Sequence, residues 1–458
     1  MDLSDIRAVV FRAKPGLQEV YEREGKKTLT KYASQSLNCI NAVTPESTRE
    51  FLDVFFSIVS SLFSPVIAKS AVEQLQKSWY VSTAEHHGPI SHSFSVSGLM
   101  VQASVNREKN FKNVIVLACA GISANNSSFP RGHIFHTRTL VEKRLHLLSL
   151  QYHQTPVSHL PAYSSFAIQR LTKEIGEYDK LNHVIEKIYS PVVDQNNYSE
   201  QVSITNYNWW QQLPGQSDVN MLYIDLEKIV TTLLLTKHCF TTTEIYSLMF
   251  TKTGQEAWKE HMVDITGAFS KDGLHGTFLF WGVSNGHRIS LRYDKGSLVS
   301  SDGTVSLALT PESVAIALEK KEILPSLALS YSLLSFYYGL TLGGGFSQID
   351  YLPRMQQAYN KILKSISPTS LAVLPTATNY LSSDYAFLLL SCGEDRVLAS
   401  ALDIFLYNTD STAESVVKLC NTVTVAEAID NLLPEMYKII AKQEVPYFLS
   451  VTPPLLYV

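Results

Sequence analysis

One run of seven residues narrows the fold more than any other feature of the chain. Val114 to Ala120 reads VIVLACA, an unbroken apolar stretch between the charged REKNFKN and the polar GISANNSSFPRG. A strand with one wet face alternates apolar with polar residues, whereas an unbroken apolar strand is covered on both sides, the usual setting of a parallel sheet flanked by helices. The run therefore predicts an α/β body, a Rossmann-like parallel sheet covered by helices, with a helical N-terminal lead-in and inserted helical segments. A length of 458 residues suits one large body with appended parts. We expect a lead-in over 1–78 and the body over 79–458, with a helical and polar insertion around 139–220.

Local signals fill in that outline. Thr44 reads as an N-cap ahead of the apolar run Phe51 to Val72, which Pro65 should interrupt. Trp79 to Ala84 reads as a second buried strand, Gly88-Pro89 as a break and Phe94 to Val105 as a helix. Helical spacing recurs over Thr139 to Gln151 and Ser164 to Ile188, and the polar stretch Asp194 to Pro214 reads as a boundary or lid. Leu222 to Asp225 is a strand candidate with a helix following from Leu226. Thr277 to Val283 and Arg288 to Tyr293 flank Asn285-Gly286, the strongest short hairpin signal. Thr310-Pro311 opens a helix, and Tyr351 to Leu363 is helical again.

Charge and cysteine usage restrict the function classes. With 38 Lys and Arg against 42 Asp and Glu there is no basic block, which argues against nucleic acid as a partner. The five cysteines are scattered and form no CxxC pair, the pattern of reduced thiols in a cytoplasmic protein. The N-terminus also lacks a secretory apolar core. Ile323 to Gln348 carries no charge and is long enough to span a bilayer. Its Pro325, its repeated Ser and Tyr, and its three consecutive glycines favour a buried helix-turn, so no membrane association is expected. A generous uncharged surface leaves room for a homodimer.

Loops at the carboxyl ends of parallel strands form ligand sites, which directs attention to the segments after the two apolar strands. The first holds Glu85, His86, His87, Gly88 and His92, with imidazoles able to act as acid or base near neutral pH. On a strand His86 and His87 point in opposite directions, so a metal site built on this pair is not expected. The second loop holds Asn125, Asn126, Ser127 and Arg131, suited to a carboxylate, phosphate or ribose, or else to an Asx turn serving its own backbone. Downstream, Gly343 and Gly344 lead to Asp350 and Tyr351; the glycines permit close backbone approach or a tight packing turn. No Lys-Ser or Lys-Thr follows them, so this is not a P-loop, and no GxSxG elbow occurs.

The order of these features resembles that of the cysteine-adding enzymes of bacillithiol biosynthesis. VSTAEHHGPISHSF stands where that family has its first strand, Gly-rich loop and helix, and VIVLACAGISANNSSFPRG where it has the second strand and loop. Leu309-Thr310-Pro311, Leu324-Pro325 and Gly343-Gly344 with Tyr351 occupy its downstream motifs. His86-His87 replaces the family's paired glutamines, Asn and Ser replace its acidic and histidine-rich loop, and Asp179 to Pro214 offers little counterpart to its coiled-coil insertion. The resemblance implies a Rossmann-like, nucleotide-binding HUP domain and a ligase-like ancestry. It does not imply cysteine as substrate.

The expectation from sequence is a cytosolic ligase-like enzyme that uses ATP, another nucleotide or a phosphorylated small molecule to form a bond to an amine. His86, His87 and His92 are the expected catalytic groups, acting on a phosphate leaving group, with the Asn loop and Arg131 orienting the second substrate. Glu85, Gly88, Gly343, Gly344, Asp350 and Tyr351 complete the expected binding set. A His-dependent metalloenzyme and a catalytically silent small-molecule-binding protein are the alternatives.

Overall fold

The computed structural model describes residues 2–39, 43–124, 132–367, 380–446 and 455–458. Five helices open the chain: α1 (Leu3–Ala13), α2 (Pro15–Glu24), α3 (Leu29–Ala33), α4 (Pro45–Leu62) and α5 (Pro65–Lys77). Thr44 and Ser64 cap α4 and α5 by accepting from the amides of Ser47 and Ile67. Proline at the first helical position costs no intrahelical bond, so Pro65 starts a helix as well as ending one.

The next elements are β1 (Tyr80–Ser82), α6 (Ser93–Glu108), β2 (Asn113–Ala118), β3 (Gly132–His136), β4 (Glu142–His146), α7 (Ser165–Ile175), α8 (Asp179–Tyr189), α9 (Tyr198–Trp210), β5 (Asn220–Asp225) and α10 (Leu226–Leu233). After α11 (Glu244–Phe250) and α12 (Lys252–His261) come four strands: β6 (Phe280–Ser284), β7 (His287–Asp294), β8 (Ser297–Ser300) and β9 (Ser306–Ala308). Then follow α13 (Pro311–Glu319), β10 (Ile323–Pro325), α14 (Leu327–Tyr331), β11 (Thr341–Gly343) and α15 (Gln348–Ile366). The chain closes with β12 (Leu389–Cys392), β13 (Asp395–Leu398), α16 (Ala401–Tyr407), α17 (Thr412–Thr422), α18 (Val425–Asp430), α19 (Leu433–Ala441) and β14 (Leu456–Tyr457).

The structure is mixed α/β around a parallel sheet ordered β11-β1-β2-β5. Alternate residues of β2, with Cys119 just after it, enter different cores: Val114, Val116 and Ala118 join one, while Ile115, Leu117 and Cys119 join the other. The apolar run is thus buried on both faces, as its composition predicts. Both cores reach far along the chain. The first takes in α1, α2 and α17, the second α4, α10 and α15.

The remaining sheets correct the picture of one parallel sheet. β10-β6-β7-β8-β9 is antiparallel throughout, β3 pairs antiparallel with β4, and β13-β12-β14 is mixed. The Asn285-Gly286 hairpin forms as expected, with Ser284 opposite His287 and φ of 50° and 75° at the two turn residues.

Three segments differ from their sequence patterns. Thr139 to Gln151, expected as a helix, contains β4, because β3 gives its backbone a partner. Gly132 makes that pairing fit, since a Cβ there would lie 1.5 Å from the Leu145 carbonyl oxygen. The polar stretch expected as a boundary or lid contains α9, packed on β5 with Trp209 and Trp210 fully buried. Its polar side chains serve other backbones: Asn206 accepts from the Ile90 amide at 3.0 Å and donates to the Gly88 carbonyl at 2.9 Å. The uncharged Ile323 to Gln348 divides into β10, α14, a π-helical turn over Ser332–Tyr337 and β11. Among the described residues no helix is long and apolar enough to cross a membrane.

Candidate functional site

Strand order reverses at β1. The chain steps from β1 to β2 to β5 in one direction and sets β11 on the other side of β1. Loops leaving the carboxyl ends of β1 and β11 therefore part, and the crevice between them is the standard ligand position of an open parallel sheet. A cavity of about 560 Å³ lies there. Glu85, His86, Gly88 and His92 line it after β1, Phe346 and Tyr351 after β11, and Cys119 and Gly121 after β2. Tyr223 and Glu227 reach it from β5 and α10, Asp384 from the segment before β12, and Trp281 and Arg288 from the antiparallel sheet.

One wall carries two carboxyls. Glu85 accepts from Ser95 Oγ and from the Ser383 side chain, yet burial and then the nearby Asp384 push its pKa up to about 7. Asp384 accepts from the Phe346 amide at 2.7 Å, and burial raises it to about 6. Its backbone is left-handed, with φ of 65°, an uncommon state for a residue with a side chain. Gly345 wraps this carboxylate so closely that a Cβ would lie 2.4 Å from Asp384 Oδ2.

Glu227 and Arg288 also line the cavity. Glu227 accepts from the Ala120 amide at 2.6 Å and from that of Gly121. Burial and then repulsion from Asp225 outweigh those bonds and push it up to about 8. Arg288 donates from Nη1 to the Gly121 carbonyl at 2.9 Å, and its guanidinium carbon lies 4.0 Å from the Trp281 ring centre.

The predicted histidines separate. Pairing continues beyond β1, with the Cys119 amide donating to Glu85 O and the His87 amide to Cys119 O. His86 consequently faces the cavity while His87 turns away, fully buried, its Nε2 3.0 Å from both the carbonyl and the hydroxyl oxygen of Ser199. This placement sets His87 apart from the expected catalytic set. His86 is open to the cavity, and its enclosure by the cavity walls and then the charge of Arg288 lower its pKa to about 4. His92 caps α6 by accepting from the Phe94 amide, and burial, Arg144 and His136 lower it to about 3. Both cavity histidines are neutral at neutral pH, so neither supplies the cation that stabilisation of a phosphate leaving group requires.

Asn125, Asn126, Ser127 and Arg131 lie outside the described residues. Gly343 and Gly344 belong to packing: a Cβ on Gly343 would meet the Tyr80 hydroxyl at 2.2 Å, and Gly344 pairs with Leu381. Asp350 faces away from the cavity lining and accepts from the Gly16 amide at 2.5 Å, joining α15 to α2. Tyr351 lines the cavity as expected, stacked on Tyr331 with ring centres 6.2 Å apart. Among the described residues no group of three or more His, Cys, Asp or Glu is arranged to hold a metal ion.

No protein-family model matches the chain, and no curated protein matches it. The chemistry at the site therefore rests on its own residues. Sequence reasoning missed Glu227, Arg288 and Asp384. A signal existed for the first: Glu227 stands two residues past the end of the strand predicted over Leu222 to Asp225, where a parallel sheet presents its ligand groups.

Proposed function

We propose that the chain is a ligase-like enzyme that joins a nucleotide-activated or phosphorylated small molecule to an amine in this cavity. The observation that carries the reading is the Glu85 and Asp384 wall. A carboxylate there balances an incoming ammonium and takes the proton that its nitrogen loses as the new bond to the small molecule forms and the bond from that molecule to its phosphate or nucleotide breaks, the phosphate or nucleotide leaving as an anion with the electron pair. Carboxyls raised to about 7 and about 6 exchange protons near neutral pH, which general base catalysis needs. The proton-donating part expected of the histidines passes to carboxyl groups.

The same reading takes the parallel sheet as a Rossmann-like unit of HUP type. Its order, its helices on both faces and the cavity at its strand reversal support that, as does the motif order shared with the bacillithiol enzymes. The test is mass spectrometry of the protein incubated with ATP and a panel of amino acids and amino sugars. The expected result is an amine-dependent adduct that disappears in Asp384→Asn. Absence of any adduct, together with no saturable stabilisation by any amine, would sink the proposal.

A further inference from the structure

We infer that Arg288 and Glu227 form an anion subsite of the cavity, one that takes the carboxylate or phosphate group of a small molecule. The inference rests on the cavity being the substrate site proposed above, and it supplies a chemical class for what binds there.

Stacking on Trp281 and the Nη1 bond to Gly121 O fix the plane of the Arg288 guanidinium against the cavity. Those contacts supply no negative charge. Arg288 makes no ion pair with any described Asp or Glu, and the stretches outside the described residues contain no acidic residue at all. Burial lowers its pKa, the mark of a guanidinium that has lost much of its water. A desolvated cation with no counter-ion is costly, and the cost is relieved when a ligand anion completes the pair. Arginine also matches carboxylate and phosphate oxygens with parallel N–H groups.

Glu227 decides whether the protein neutralises Arg288 by itself. The groups around Glu227 are Asp225 next to its own helix, Cys119 at the end of β2, and Arg288 from β7 with His86 beside it. Lys228, the next residue, is engaged with Glu200 at 3.0 Å. The Cys119 thiol is raised well above its ordinary range and His86 is held neutral, so Asp225 and Arg288 are the charges that act on Glu227. With burial and Asp225 prevailing, Glu227 keeps its proton at neutral pH and leaves the charge of Arg288 to a ligand. Ionised, it would compete with the ligand for Arg288. Affinity for an anion is therefore full below the raised pKa of Glu227 and falls as pH rises through about 8.

Calorimetric titration of the full chain with sulfate, inorganic phosphate and malonate, at constant ionic strength in chloride, tests this. Sulfate keeps its charge between about pH 7 and about pH 9.5, so any change in its affinity belongs to the protein. Saturable binding of at least one of the three at the lower pH is expected, about ten- to hundredfold weaker in Arg288→Met. Arg288→Lys and Glu227→Gln, checked for native circular dichroism, keep the test valid if that variant does not fold. Wild-type affinity should fall at the higher pH, and Glu227→Gln should lose less of it, because Glu85 is then the cavity carboxyl that still ionises over this range. A preference for phosphate and sulfate assigns a phosphate ligand, and a preference for malonate a carboxylate. No saturable binding, or Arg288→Met and Arg288→Lys binding as the wild type does, overturns the subsite; a wild-type affinity that ignores pH overturns the part given to Glu227. Anion binding with neither an amine-dependent adduct nor saturable stabilisation by any amine would sink the ligase reading alone.

Discussion

At the scale of single residues, the cavity holds groups in protonation states that burial imposes. Glu85 illustrates the cost. An acid whose folded pKa is raised contributes stability that is fully present below its unfolded pKa, near 4.5, and is lost as pH rises through the folded value of about 7. Glutamine imitates the protonated acid and cannot ionise. Glu85→Gln is therefore expected to melt above the wild type at about pH 8 and level with it at about pH 4, a difference that calorimetry across that range reads. The same groups show what a sequence reveals at this scale. Glu85, His86 and His92 were legible because they crowd one loop after one strand. Asp384 and Arg288 were not, because each is a single charged residue in an ordinary pattern, brought to the cavity from nearly 300 and about 200 residues away along the chain. A wild type melting level with Glu85→Gln at about pH 8 would remove the raised pKa from the account.

At the scale of elements, legibility followed the backbone's need for partners. The Asn285-Gly286 hairpin and the Thr310-Pro311 helix start were readable because turn and cap chemistry is local. The β3 and β4 hairpin was not, since its second strand takes its conformation from the first. α9 misled through polarity: Asn206 is buried because it clamps both ends of the Gly88 to Ile90 turn, which forms part of the cavity wall. Asn206→Ala leaves one backbone donor and one acceptor without that partner in a buried place, at about 1–3 kcal/mol for each group left unsatisfied. Chemical denaturation should show a loss in the range of about 2–6 kcal/mol, and hydrogen exchange should accelerate over residues 86–92. A normal exchange rate there would mean that the turn is held by other contacts.

At the scale of the whole molecule, the first 78 residues do not sit on the body as one layer. α1 to α3 bury Val10, Leu17, Val20, Leu29 and Tyr32 in the core on one face of the parallel sheet. α4 and α5 bury Phe51, Phe55, Ile58, Val59 and Leu75 in the core on the other. Far ends of the chain are also tied together, with Arg7 Nη2 2.8 Å from Asp430 Oδ2 and the Tyr21 hydroxyl donating to the same carboxylate. A segment that reads as a lead-in along the sequence thus belongs to both sides of the structure, because burial is distributed by the sheet and not by chain order. Removing those ten side chains opens the apolar surface that they cover in both cores to water. A chain beginning at residue 79 is expected to lose cooperative unfolding and to expose apolar surface to a dye such as ANS, although every residue named in the cavity is still present. Two-state melting of that fragment would mean that residues 79–458 stand as a body of their own.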